Sequence, residues 1–273
     1  MILLPLVRRG EQFTLVLLSG DMTSNAERHW RRLGDEDPFF GVLSDPKFLR
    51  ANLSDESREQ FFQSGEQHVQ GVYSVIQARV KQSFQTERVL DFGCGVGRLL
   101  IPFAQRAQTV VGIDVSPGML AEAERNLRER ELRNVQLFRS QEIDSLDPNT
   151  FDLVHSFIVF QHIPISDGET LLRKLVRLIA PGGIGAIHLT FSDSRSAMRR
   201  AISALRAKSN LAHRLINIAQ GKPFSQPLME MNRYSINRTF DLLIDAHCSN
   251  MHVDFTDHFG TRGAMIYFEK ARD

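Results

Sequence analysis

The stretch at residues 88–100, RVLDFGCGVGRLL, ends an apolar run in Asp91 and then sets Gly93, Gly95 and Gly97 at every second position. Glycine costs backbone entropy in regular structure, so a cluster at one turn marks a place where something comes very close to the backbone. Strand, acid, glycine turn and helix is the arrangement in which bare backbone and a helix N-terminus meet a nucleotide-like ligand. A second acid, Asp114, ends the next apolar run. It falls about 20 residues after the first glycine, where a carboxylate can accept both hydroxyls of a ribose. A pyrophosphate-bearing nicotinamide or flavin wants its glycines spaced G-x-G-x-x-G. Gly93 and Gly95 fit that spacing, but position 98 is Arg98 and the third glycine arrives one residue early.

With that G-x-G-x-G spacing after Asp91, VLDFGCGVGRLL resembles the first motif of the class I S-adenosylmethionine-dependent methyltransferases. VVGIDVSPGML, carrying Asp114, is the second anchor of the resemblance. That ligand has no pyrophosphate; its amino-acid end carries an ammonium and a carboxylate, so an acid at the turn is useful rather than repulsive. The resemblance implies that Asp91 lies near the ammonium. It implies that the backbone of Phe92, Gly93, Cys94, Gly95 and Gly97 passes beside the methionine moiety and the ribose. Val115 and Met119 then flank the adenine, although a helix-core methionine explains Met119 as well. Where the family has an acid after its third strand, VQLFRSQEID offers Gln141 followed by Glu142, and Gln can also hydrogen-bond an adenine amine. FDLVHSFIVFQHIP resembles the fourth strand and its turn, placing Ser156 and Phe157 toward the transferable methyl group and Gln161 and His162 at the opening of the next helix. Ser64 and Gly65 fall where an N-terminal helix folds over the methionine end, or simply close a helix. The resemblance spans roughly residues 60–191 and the last strand pair.

The elements needed to position these residues can be read from periodicity. Strand-like runs at RVLDFG, TVVGIDVS, NVQLFRS, FDLVHSFIVF and IGAIHLTF alternate with helical stretches, which indicates βαβ units and a parallel sheet covered on both faces. Pro117 opens one helix where a missing N–H costs nothing. A helix NRTFDLLIDAHC and strands MHVDFTDH and GAMIYFEK follow. The expectation is an α/β fold: a seven-stranded, doubly wound, mostly parallel sheet of Rossmann-like methyltransferase type. The order implied by the resemblance is 3-2-1-4-5-7-6 with strand seven antiparallel. Residues 22–84 read as an N-terminal helical cover. One of its helices is capped by Ser54 and stops at Gly65, and another runs through Val69, Val72, Tyr73, Ile76 and Val80. NAERHWRRLG reads as a short helix stopped by Gly34, and DEDPFFGVLSDPKF as loop and turn. Residues 85–273 make the main domain, with a helical lid inserted at 192–239.

Composition bounds the partners. The chain has 273 residues, 42% hydrophobic and 24% charged, with a formal net charge of +1. That makes no global case for nucleic acid or an anionic membrane. Cys94 and Cys248 are too few for a disulfide framework or a cysteine-built zinc site and suggest a cytoplasmic compartment; no metal is expected. The apolar pieces of MILLPLVRRGEQFTLVLLSGD are far shorter than the roughly 20 residues of a membrane helix. Residues 1–21 read as a dispensable leader with Met22 as the alternative start, or equally as an ordinary extra element. The stretch 192–239 is rich in arginine. That suits a lid holding a phosphate or carboxylate of the acceptor, and a solvated helix face accounts for it too.

Methyl transfer needs a nucleophile in line with the methyl carbon, water excluded, and a base when the nucleophile is a hydroxyl. His162 is the candidate base or substrate contact; a capping or packing role is the alternative. His155 and His188 read as core histidines, and Cys94 as a small filler facing the ligand. The implied function is S-adenosylmethionine-dependent O- or N-methylation of a small-molecule or glycan-like acceptor. An NAD(P)-dependent oxidoreductase and a non-catalytic S-adenosylmethionine-binding subunit are the competing readings.

Overall fold

The computed structural model describes residues 25–193, 231–258 and 260–272. Residues 1–21, and the 194–230 part of the expected lid with most of its arginines, lie outside the described residues.

Seven strands form one sheet in the order β3-β2-β1-β4-β5-β7-β6. They are β1 (Arg88–Phe92), β2 (Thr109–Asp114), β3 (Val135–Arg139), β4 (Phe151–Ser156), β5 (Ile179–Asp193), β6 (Cys248–His258) and β7 (Thr261–Lys270). The first five are parallel, and β7 runs antiparallel to both β5 and β6, as expected. Val89 and Leu90 are adjacent in β1 and both fully buried, which requires apolar cover on both faces. One face packs on α6 (Ile165–Leu178) and α7 (Ile236–Asp245) through Leu172, Leu175, Leu242 and Leu243. The other packs on α3 (Asp55–Val75) and α4 (Leu100–Ala104) through Val69, Val72, Leu100 and Phe103. α5 (Pro117–Arg128) starts at the Ser116 cap, whose Oγ accepts from the Met119 N–H at 3.3 Å.

The cover consists of α1 (Asn25–Glu36), α2 (Pro38–Val42), a 3-10 turn at Pro46–Phe48, and α3. Phe39, Phe48, Phe61, Val96 and Met119 form a third buried cluster that fastens it to the glycine turn and α5. Burying a side chain such as Phe61, fully enclosed here, stabilises by about 1.5–3 kcal/mol. Ser54 and Ser57 cap α3 reciprocally: the Ser57 N–H donates to Ser54 Oγ at 3.2 Å and the Ser54 N–H to Ser57 Oγ at 2.9 Å.

Three local expectations are corrected. DEDPFFGV is not loop: Pro38 at the first helical position starts α2. α1 runs through Gly34 to Glu36. α3 does not stop at Gly65 but continues to Val75, and Ile76–Val80 extend it as a π-helix. Gly65 stays helical because α3 lies directly on the chain after the glycine turn, where a Cβ at 65 would sit 2.2 Å from the Arg98 carbonyl oxygen. That backbone cannot yield as a flexible side chain would. Gly65→Ala should therefore destabilise by about 1–3 kcal/mol through overpacking, although alanine is the better helix former. Thermal or urea unfolding checks this; a stabilised variant would contradict the packing.

Candidate functional site

The carboxyl ends of β1, β2 and β4 open into a cavity of about 460 Å³, with the cover forming its opposite wall. Asp91, Phe92, Gly93, Cys94 and Gly95 line it from the β1 turn. Asp114, Val115 and Met119 line it from β2 and α5, and Phe157 and His162 from beyond β4. One site thus gathers ten of the residues singled out in the sequence.

The turn itself is tied to the end of β2. The Gly93 and Cys94 N–H groups both donate to the Ile113 carbonyl, at 2.7 and 3.0 Å. The Gly95 N–H donates to Asp114 Oδ2 at 2.9 Å, and the Ser116 N–H to Asp114 Oδ1 at 2.9 Å. Gly95 has φ +53° and Gly97 φ +89°, a left-handed backbone that side chains resist. A Cβ at Gly95 would also lie 2.6 Å from Val42 Cγ2 of the cover. Immediately after Phe157, the β-branched Ile158 has φ +60° and lines the cavity, a strained conformation held by its surroundings.

The other expected contacts fall outside the lining. Gly97 packs toward Ala123 of α5, 3.6 Å from where its Cβ would be. Its spacing serves the turn's conformation and the helix that crosses it. Ser156 Oγ donates to the Phe92 carbonyl at 3.0 Å and so joins β4 to β1. Gln141 and Glu142 stand exposed in a 3-10 turn (Ser140–Ser145). There Gln141 Nε2 donates to Glu27 Oε1 at 2.9 Å and Glu142 Oε2 accepts from the Arg139 N–H at 2.7 Å. Ser140, not Gln141, reaches the wall. Ser64 Oγ donates to the Phe61 carbonyl at 2.6 Å and accepts from Arg98 Nη1 at 3.3 Å, so it touches the site only through Arg98.

His162 does not open a helix: it ends a 3-10 turn (Phe160–His162) ahead of Pro164 and α6. Its ring meets Trp30 edge-on at 4.8 Å. Thr190 Oγ1 donates to Gln161 Oε1 at 2.9 Å, which turns the Gln161 amide nitrogen toward His162 Nε2 at 3.0 Å. Nε2 of His162 is therefore an acceptor already in use. Tyr234, at the end of the lid segment, is buried and anchors this turn by donating to the Ile163 carbonyl at 2.8 Å.

Three lining residues escaped the sequence reading. Arg98 replaces a glycine of the pyrophosphate motif and looked like an exclusion, not a contact. It is 7% exposed beside Asp91, and its buried Nε has no hydrogen-bond partner. Burial lowers its pKa to about 10. Trp30 and His258 come from opposite ends of the chain, and no spacing links them to the glycine turn. Burial lowers the His258 pKa, and its enclosed Nε2 has no hydrogen-bond partner. The half-buried Asp114 is raised to about 6 by desolvation, against the backbone N–H groups that favour its charged form. Burial pushes the Cys94 thiol well up, so Cys94 is no nucleophile.

Residues 89–183 match the family model described as a methyltransferase domain. Over this segment the chain is similar to methyltransferase domains. The chain is 44% identical over 101 residues to the aklanonic acid methyltransferase DauC of Streptomyces sp. (strain C5), a match covering 36% of this chain and 45% of that protein. It is 33% identical over 102 residues to the ubiquinone biosynthesis O-methyltransferase of Paracidovorax citrulli, covering 36% and 42%. The chain thus matches less than half the length of these curated relatives. Around the domain the fold extends further. Magnesium protoporphyrin IX methyltransferase (ChlM) of Synechocystis PCC 6803, solved with bound SAM, superposes with a TM-score of 0.57 at 17% identity, over 92% of this chain and 100% of that one. The N-methyltransferase NodS of Bradyrhizobium japonicum WM9, solved with S-adenosyl-L-homocysteine, gives 0.52 at 14%, over 90% and 99%.

A carboxylate poised in this way has a visible titration. In the ligand-free protein, carboxyl-resolved NMR should show Asp114 titrating near pH 6. A midpoint near 4 would mean that its two backbone N–H bonds outweigh burial.

Proposed function

We propose that the protein transfers a methyl group from S-adenosylmethionine to an oxygen or nitrogen of a small-molecule acceptor. The observation that carries this reading is the pairing of opposite charges inside one cavity, next to a ribose-competent acid. The Asp91 carboxylate and the Arg98 guanidinium, both lining the cavity, suit the ammonium and carboxylate of an amino acid. The relatives' printed activities support the same reading.

The donor fits the residues present. Asp91 and Arg98 would hold its amino-acid end and Asp114 its ribose. Val115, Met119 and Ser140 would line the adenine end. When bound, it supplies a methyl group made electrophilic by a sulfonium. The chain's own part is to orient and to exclude water. Gly93 and Gly95 let the ligand lie on backbone, Phe157 closes the floor, and the cover shuts the opposite side. Trp30, Val42, Leu43 and Ile163 give the remaining wall an apolar character that suits a largely apolar acceptor. His258, which lines the cavity 6.0 Å from the Phe157 ring and is kept neutral by burial, is the alternative to His162 for taking the acceptor's proton, because the Gln161 amide already occupies His162 Nε2.

Calorimetry with S-adenosylhomocysteine and with NADPH separates this reading from an oxidoreductase. The homocysteine compound should bind and NADPH should not; the reverse would overturn it. Arg98→Leu should weaken S-adenosylhomocysteine by about 1.5–3 kcal/mol, the worth of hydrogen bonds to a charged group. A protonated Asp114 has lost an acceptor and gained a donor, so it serves a ribose diol poorly. Affinity should therefore fall as pH drops below about 6, where the free protein's Asp114 takes up its proton. Affinity flat from pH 8 to 5 would remove Asp114 from the site.

A further inference from the structure

Behind the cavity, two buried side chains and a half-buried one form a continuous line. Asp91 Oδ1 lies 2.8 Å from His155 Nδ1, and His155 Nε2 lies 3.1 Å from His68 Nε2 on α3. His155 is fully enclosed and Asp91 is 2% exposed. A carboxylate only accepts, so His155 Nδ1 carries the hydrogen; between the two facing Nε2 atoms, one hydrogen is shared. The His68 pKa is lowered to about 2, chiefly by burial, with His155, Arg98 and His188 adding to it, so His68 is neutral. A neutral His68 can donate to a neutral His155 or accept from a charged one, and His155 points Nδ1–H at Asp91 in both cases. Phe103 meets the His155 ring edge-on at 5.2 Å, and His68 lies 4.1 Å from the Phe157 ring of the cavity floor. No hydrogen bond from a described residue reaches Asp91 Oδ2.

We propose that His155 and His68 are positioning residues for Asp91, pinning its Oδ1 from the cover helix so that the other oxygen is presented to the primary ammonium of the bound cofactor. Both ring nitrogens of His155 are engaged, and one of them is engaged by an acid that lines the cavity, so the ring's position bears directly on the site. Second partners of this kind fix the orientation of a functional group and are felt through it. The inference rests on the cofactor reading above, and it makes the amino-acid end of the ligand, not its nucleoside, dependent on α3.

The test compares S-adenosylhomocysteine with 5′-methylthioadenosine, which keeps the nucleoside and the thioether but lacks the amino-acid end. His155→Leu should weaken S-adenosylhomocysteine about tenfold and leave methylthioadenosine within about twofold. His155→Asn, whose amide can still donate to Asp91, should recover S-adenosylhomocysteine to within about threefold of the wild type. Should His155→Leu not fold, His68→Leu decides, with the same selective loss expected. Equal loss for both ligands, or unchanged S-adenosylhomocysteine affinity in a folded variant, overturns the positioning role while leaving the cofactor reading intact. A wild-type protein that binds neither ligand overturns both.

Discussion

The site depends on how the glycine turn is fastened to its neighbour. Two consecutive N–H groups, from Gly93 and Cys94, converge on the Ile113 carbonyl, and the next, from Gly95, reaches the Asp114 side chain. The parallel register that pairs Phe92 with Ile113 sets up these bonds. Asp114 thereby does two jobs: it holds the bend in place and stands at the cavity wall. A turn of left-handed residues would be poorly defined alone, since glycine has the most backbone freedom to lose. Bonded to β2, it becomes a rigid floor.

Charge is the second organising element. Asp91 and Arg98 are both buried, and an ionised group taken out of water is costly unless opposite charge or hydrogen bonds compensate. Here the two compensate each other in part, and His155 supplies a hydrogen bond to Asp91. Among the described residues the buried Nε of Arg98 is left without a partner.

The matched domain, residues 89–183, contains the turn, Arg98, Asp114 and His155, but not the cover. Trp30, Val42 and Leu43, which form the apolar wall, lie before it, and His258 lies after it. Within the cover, Phe61 packs 5.0 Å from Phe39 and 5.3 Å from Phe48, and the cluster they form takes in Val96 of the domain. Met119 bridges from α5 into the same cluster. The charged wall of the cavity and much of its apolar wall are thus built from different parts of the chain.

Among the described residues, the alternation of strands and helices and the acid–glycine turn could be read along the chain, while the sheet order was implied by the resemblance those motifs carry. The first two are local patterns: periodicity reports which faces are buried, and a run of bare backbone reports a close approach. The helix through Gly65 could not be read, because a glycine that ends a helix and one pressed against a carbonyl look alike until the carbonyl's owner, Arg98, is in place. Gln141 and Glu142 matched by position, but their side chains turn to Glu27 and to the Arg139 N–H. His155 read as core filler because its partners, Asp91 and His68, are 64 and 87 residues away. The amino-acid sequence alone determined the sheet and the place where a nucleoside-like ligand can rest, since both follow from near-neighbour geometry. Which side chains surround that place was decided only by tertiary packing, because contacts between distant segments leave no period in the sequence.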